Sequence, residues 1–293
     1  MEATCILPSL NGSGFHTGLR DSGYVEGENL AIVYRWANNQ MDRLPEMAAD
    51  LVRRKVALIV TGTGTLAALA TKAATSVPVV FLVSEDPVRA GLVASIARPG
   101  GHMTGVNFFN AELYAKRLEI LHQLVPTATR IAVLVNPTNA NNTETVLRDL
   151  EPAARAIGLQ TQVLNASNIR EIDAAFATLE RERAGALFVS GDPLFNNRRL
   201  QLALLAARYA IPASYASRDY PEYGGLVSYG ANVADAFRQM GVYVGRILKG
   251  AKPGELPVVQ ASKLELVINA QTARVLGLAI PPTLLSTADE VIE

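Results

Sequence analysis

Short runs of aliphatic and β-branched residues alternate along this chain with longer stretches whose apolar positions recur every three or four residues. The runs are Thr4–Leu7, Asn29–Arg35, Val56–Val60, Val77–Val83, His102–Val106, Arg130–Val135, Gln160–Leu164, Gly185–Val189 and Ala213–Tyr215. Between them Met41–Arg54, Leu66–Ala74, Ala111–Leu124, Asn142–Ile157, Ile169–Arg183 and Arg198–Tyr209 carry the helical period. In the first of these helices Leu44, Met47, Ala48 and Leu51 share one face. The alternation predicts βαβ units, hence an α/β fold of doubly wound parallel sheets covered on both faces. Two such series, one before Val125 and one after it, predict two lobes joined by a hinge. After Tyr220 the pattern changes to an extended segment at Gly224–Gly230, a helix at Val233–Leu248, a further extended stretch to Asn269, a short helix and a Pro281-Pro282 turn. A chain crossing back between lobes has this form. The predicted domains are therefore discontinuous: residues 1–124 with about 226–252 in lobe 1, and 125–225 with about 253–293 in lobe 2.

Composition narrows the function. At 293 residues and 49% hydrophobic side chains, the chain exceeds what one core usually serves and is too apolar for a disordered protein. Lys+Arg and Asp+Glu each number 27, leaving no cationic excess to displace counterions from a nucleic acid. A single cysteine, Cys5, excludes an internal disulfide framework and any multi-cysteine metal site. The longest apolar runs fall well short of the roughly 20 residues of a membrane helix, so the chain is not expected to span a membrane. Met1–Pro8 places an acid where an export signal wants a positive charge, so no signal peptide is read in the sequence as it stands.

The candidate chemistry lies in the loops after strands. Thr61-Gly62-Thr63-Gly64-Thr65-Leu66-Ala67 satisfies G-x-G-x-x-A between a strand and a helix, with Glu85 and Asp86 downstream. Three readings stay open for it: a dinucleotide fingerprint, a site for a small anion or carboxylate, and a plain strand–helix turn. Ser84-Glu85-Asp86-Pro87 and Ser190-Gly191-Asp192-Pro193 form an internal echo, each ending an apolar strand, and raise the possibility of a duplicated lobe. Either aspartate serves as a helix cap or as a carboxylate for a ligand ammonium. Asn136-Pro137-Thr138-Asn139 is dense in groups that cap a helix or bind a polar solute. Tyr215, Arg218, Tyr220, Tyr223 and Tyr229 concentrate aromatics in an otherwise aromatic-poor chain, as a recognition surface or as packing. Trp36 reads equally as a cleft wall or a core cap. His16, His102 and His122 are far apart and lack metal-ligand spacing, and no nucleophile elbow or P-loop is present. No catalytic residue, metal or cofactor is predicted.

Phe15-x-x-Gly18-Leu19, Ser22-Gly23-Tyr24-Val25-Glu26-Gly27, Asp86-Pro87-Val88, Arg98-Pro99-Gly100-Gly101-His102 and Lys116-Arg117-Leu118-Glu119 recur together with Asn136-Pro137, Gly225-Leu226-Val227-Ser228-Tyr229-Gly230, Gly245-Arg246-Ile247-Leu248 and Glu265-Leu266-Val267-Ile268-Asn269. From about Phe15 to Glu293 the chain resembles the solute-binding proteins of bacterial ATP-binding-cassette importers, a family that includes aromatic-amino-acid-binding members. The resemblance implies a type I periplasmic-binding-protein fold. It further implies an exported, non-catalytic receptor that closes on a small polar solute in the cleft between lobes and delivers it to a membrane permease. Carried onto this sequence, Thr61, Gly62 and Thr63 with the rest of their loop would take a solute carboxylate. Asp86, beside Ser84, or Asp192 would take its ammonium, Asn136 and Asn139 would give amide contacts, and Tyr215 and Tyr229 would form walls. A dinucleotide-dependent α/β enzyme and a ligand-sensing regulator core share the architecture and are the alternatives.

Overall fold

The computed structural model describes residues 2–6, 12–37, 40–62, 64–108 and 111–293. In chain order the elements are β1 (Glu2–Ile6), α1 (Gly12–Asp21), β2 (Ala31–Tyr34), α2 (Leu44–Arg53), β3 (Leu58–Thr61), α3 (Thr65–Ala74), β4 (Val79–Val83), β5 (Met103–Asn107) and α4 (Ala111–Leu124). There follow β6 (Arg130–Val135), α5 (Ala140–Ala156), β7 (Gln160–Asn165), α6 (Ile169–Glu182), β8 (Ala186–Val189), α7 (Pro193–Asn197), α8 (Arg199–Arg208), β9 (Ala213–Tyr215), α9 (Asp219–Glu222) and β10 (Val227–Ala231). The chain ends with α10 (Val233–Leu248), β11 (Val259–Gln260), β12 (Leu264–Asn269), α11 (Ala270–Val275), α12 (Pro282–Thr287) and β13 (Glu290–Ile292).

Two compact units result: residues 1–109 with 233–263, and residues 110–232 with 264–293. Both are discontinuous, yet the boundaries differ from those expected. Helix α4, assigned from sequence to the first lobe, buries Leu118, Leu121 and Leu124 among Ile131, Val133 and Phe188 of the second unit. Strand β10 is hydrogen-bonded between β9 and β12 and goes with them. Residues 253–263 move the other way, because β11 pairs with β5 and Thr104 Oγ1 donates to the Leu256 carbonyl at 2.8 Å. Periodicity shows where an element lies but not which sheet it joins.

In unit 1 the sheet runs β11-β5-β4-β3-β1-β2, with every pairing parallel. Strands β3, β4 and β5 are buried throughout, as a sheet covered on both faces requires. One face packs Phe15 and Leu19 of α1 with Phe237, Met240 and Val244 of α10; the other packs Met47 and Leu51 of α2 with Ala68 of α3. Small residues let α1 and α10 approach closely. A methyl group built on Gly18 would lie 1.9 Å from the Arg238 carbonyl oxygen, and one on Gly241 would lie 2.2 Å from that of Phe15.

In unit 2 the order is β13-β12-β10-β9-β8-β6-β7, parallel except where β12 runs antiparallel to β10. Aligning the two orders matches β1 with β6, β3 with β8 and β4 with β9. The topology thus repeats, but the Ser-x-Asp-Pro echo does not mark it, since one copy follows β4 and the other follows β8, the counterpart of β3. The helix expected at Arg198–Tyr209 is α8, and a further short helix, α7, precedes it, opened by Asp192 as N-cap with Pro193 in its first turn and ended at Arg198.

Candidate functional site

Parallel strands all point their carboxyl ends at one edge, and in open α/β sheets that edge is where ligands bind. In unit 1 it carries the loops after β3, β4 and β5. Thr61, the last residue of β3, is fully buried and its hydroxyl has no partner among the described residues. Gly62 and Gly64 lead into α3; Thr63, between them, lies outside the described residues. Gly64 takes φ +93°, a conformation open to glycine and strained for other residues. Thr65 then opens the helix and donates its hydroxyl to the Glu85 carboxylate; both residues are buried. Asn107, at the end of β5, donates its amide to the Val83 carbonyl at 3.1 Å and the Glu85 carbonyl at 2.7 Å. Its own side-chain oxygen is buried and has no partner among the described residues. Asp86 uses one oxygen to cap the following turn, accepting from Val88 N at 2.9 Å and Arg89 N at 3.2 Å. Ser84 is half-buried beside it.

This geometry changes the reading of the Thr61–Thr65 loop. A carboxylate already sits at the first turn of α3, and it belongs to Glu85. A pyrophosphate or a solute carboxylate there would meet a buried like charge, which costs far more inside a protein than in water. Gly64, with its positive φ, serves the turn into α3.

In unit 2 the matching edge is also crowded. Asp192 is buried and caps α7 through Leu194 N at 2.9 Å. Asn136 Nδ2 donates to one of its oxygens and Asn139 Nδ2 to the other, each at 3.0 Å. Asn142 ties the same loop by donating to the Gly191 carbonyl at 2.9 Å. The three expected solute contacts, Asn136, Asn139 and Asp192, are thus brought together, but on one another. Asn139 precedes α5 without capping it through its side chain. Tyr215 is corrected more sharply: it is fully buried and stacks on Tyr220 at a centroid distance of 4.2 Å, inside the core beneath α8 and α9. Burial also holds its phenol protonated far above the usual range. Tyr229 packs against the opposite core and lines a groove of about 570 Å³ with Lys116, Glu119 and Ile157. Trp36 is exposed and stacked on Tyr34 at 6.0 Å, so it caps no core.

Sequence reasoning missed two residues that the structure singles out. Asn107 gave no signal, being one polar residue at the end of a short strand. Arg117 did give one: it falls on the apolar stripe of α4 formed by Tyr114, Leu118, Leu121 and Leu124, where a charge is out of place.

Two repeated α/β units whose strand-end loops hold carboxylates, amides and buried hydroxyls define the class of two-lobed solute receptors. The family comparison agrees, matching residues 8–292 to the family described as ABC transporter substrate binding protein. The chain belongs to that family, with the type I periplasmic-binding-protein fold, and its role is to bind a solute. Among its relatives is a protein of Clostridioides difficile (strain R20291) named tyrosine-binding protein, 27% identical over 273 residues, which are 92% of this chain and 78% of that one. Among solved structures, a conserved domain protein of Vibrio cholerae superposes with a TM-score of 0.91 at 27% identity, covering 99% and 98% of the two chains. The ABC domain of a Streptococcus pneumonia protein in complex with L-Trp gives 0.87 at 25% identity, covering 99% of each. Among the described residues no helix is long and apolar enough to cross a membrane.

Proposed function

We propose that this chain captures an aromatic amino acid and presents it to a membrane permease, without altering it chemically. One observation carries the reading: the strand-end edge of unit 1 is lined by acceptors. Among the described residues, the buried Glu85 carboxylate accepts a side-chain hydrogen bond from Thr65 alone, Asp86 spends one oxygen on its turn, and the buried Asn107 oxygen and Thr61 hydroxyl have no partner. Such a set, with no lysine or arginine hydrogen-bonded into it, suits a solute ammonium. Thr61, Gly62, Ser84 and Asp86 are therefore assigned to the ammonium-bearing end of the solute, together with Glu85 and Asn107. In unit 2 Asp192, Asn136 and Asn139 hold one another and shape their strand-end loop. Aromatic specificity is supported by the relatives, one named for tyrosine and one holding L-Trp. Family membership supports export and delivery to an importer.

Calorimetry against the twenty amino acids and a set of small carboxylates tests the proposal. Tyrosine or tryptophan is expected to bind most tightly, and mass spectrometry of ligand released on denaturation should find the same compound. Binding of no amino acid, or tighter binding of a carboxylate lacking an ammonium, overturns it. Recovery of a chemically changed solute after incubation would overturn the non-catalytic part.

A further inference from the structure

A cavity of about 300 Å³ lies in unit 1 at the amino-terminal edge of the sheet, the edge away from the strand-end loops. Three buried apolar residues, Leu92, Val93 and Met103, line it, and the Gly100-Gly101 turn carries the chain past it. Both glycines take positive φ, +64° and +91°, which lets the chain turn into His102 and β5. Two polar side chains complete the lining: Lys72 from the last turn of α3, and His102 from the residue before β5.

Folding leaves hydrogen-bonding capacity unused on both. His102 Nε2 is buried and has no partner among the described residues, although a buried ring nitrogen normally finds one. The backbone at this point does not depend on the ring, since the His102 carbonyl accepts from Val79 N at 2.8 Å. Lys72 donates one N–H to the Gly91 carbonyl, which leaves two for another acceptor. No carboxylate of the described residues lies within ion-pair distance of it. Burial first, and the Lys72 charge second, hold the His102 pKa below its usual range. At neutral pH the ring is therefore uncharged, and one of its nitrogens carries a proton to donate. A cation and an unused imidazole nitrogen thus share a cavity with an apolar lining. An ammonium guest would be repelled there, and a purely apolar one would leave both polar groups unsatisfied.

We propose that this cavity is a second ligand site, for a short aliphatic monocarboxylate. Its carboxylate is received by the Lys72 ammonium and by His102 in the tautomer protonated at Nε2, and its hydrocarbon tail by Leu92, Val93 and Met103. Because Lys72 and His102 come from α3 and the start of β5, an occupant ties the carboxyl end of that helix to the sheet. The site lies within unit 1 and is independent of the amino-acid reading: acceptors at the strand-end edge suit an ammonium, whereas the donors here suit an anion.

Imidazole NMR at pH 7 tests it, because the chain has only three histidines, His16, His102 and His122. The His102 ring signals are identified by their loss in His102→Gln, and sodium butyrate, sodium acetate and butyramide are titrated at constant ionic strength. Butyrate should shift the His102 signals saturably and leave those of His16 and His122 in place. It should bind about tenfold or more tighter than butyramide, the ratio that a hydrogen bond to a charged group supports. Its longer tail should make it several-fold tighter than acetate, at about fourfold for each methylene buried. Lys72→Met keeps the unbranched stem without the charge, and should lose the preference for butyrate over butyramide. No saturable shift, an equal response to butyramide, or an undiminished preference in Lys72→Met overturns the proposal and leaves Lys72 a structural tie to Gly91. Acetate binding as tightly as butyrate overturns the role of the apolar lining. Should His102→Gln fail to fold, the His102 ring is assigned in the wild type through its backbone resonances, and the acid–amide comparison decides.

Discussion

Replacing Gly18 with alanine sets two physical effects of opposite sign against each other. Gly18 lies within α1, and by intrinsic propensity alanine there should stabilise the helix by about 1 kcal/mol. Packing predicts the reverse. The new methyl carbon would sit 1.9 Å from the Arg238 carbonyl oxygen and 2.9 Å from the Val242 nitrogen, both backbone atoms of α10, so no rotamer change relieves the clash. Restoring an ordinary contact means parting the helices by more than about 1 Å, and a gap of that size forfeits a quarter to a half of each dispersion contact across it. Phe15, Leu19, Met240 and Val244, all nearly inaccessible, lie along that seam. Overpacking of this kind costs about 1–3 kcal/mol, and the rigid backbone partner places it at the upper end. Net of propensity, Gly18→Ala should lose about 2 kcal/mol. Urea unfolding followed by circular dichroism measures it, with Gly14→Ala, 2.3 Å from the Ala234 carbonyl oxygen, as a second point. A Gly18→Ala protein as stable as the wild type, or more so, would refute the close-packing argument outright.

Three further predictions follow from the sites. Glu85→Gln keeps an acceptor for Thr65 but removes the charge, so amino-acid affinity measured by calorimetry should fall about tenfold or more while the fold persists; an unaltered affinity removes Glu85 from the ammonium site. Asp192→Ala deletes the α7 cap and strands the Asn136 and Asn139 amides, which should cost about 2–4 kcal/mol in a denaturant melt, and a loss under about 0.5 kcal/mol would show the network to be dispensable. Asp50, held by Arg35 at 2.8 Å and Arg54 at 3.0 Å, has its pKa lowered below 3.8, chiefly through the Arg35 hydrogen bond. The unfolded chain therefore binds this proton first, and the stability it contributes is present above pH 3.8 and lost as the pH falls through the folded value. The gap in melting temperature between wild type and Asp50→Asn should be largest near neutral pH and close on acidification; a gap that widens there contradicts the sign.

The architecture was legible in the sequence because strand and helix periods are local. Val79–Val83 reads as a buried strand from its own five residues, and the alternation of such runs with helices leaves little choice but parallel α/β layers. Family membership was legible for a related reason: turns and close contacts demand particular residues. Gly18 fits only because α10 passes within a methyl's width of it, and the glycine is visible without knowing what approaches.

Unit boundaries and the hydrogen-bond partners of the strand-end residues were decided only by tertiary structure. Sequence placed Asp86, Asp192, Asn136 and Asn139 at strand ends, where they are. It gave no means of knowing that the last three would satisfy one another, since hydrogen-bond partners 53 and 56 residues apart are fixed by which strands lie side by side. Tyr215 read as a loop aromatic because nothing local marks the end of a central strand as core. The Thr61–Thr65 loop read as an anion site because Glu85, 20 residues on, is brought to its helix only by the adjacency of β3 and β4. Arg117 shows the division most plainly. Its place on an apolar stripe is written in the sequence, but its full burial, with no countercharge within ion-pair distance among the described residues, is a property of the space around it. That space exists only once α4 has packed on β8 and β9, and electrostatic energy depends on separation and solvent access rather than on order along the chain.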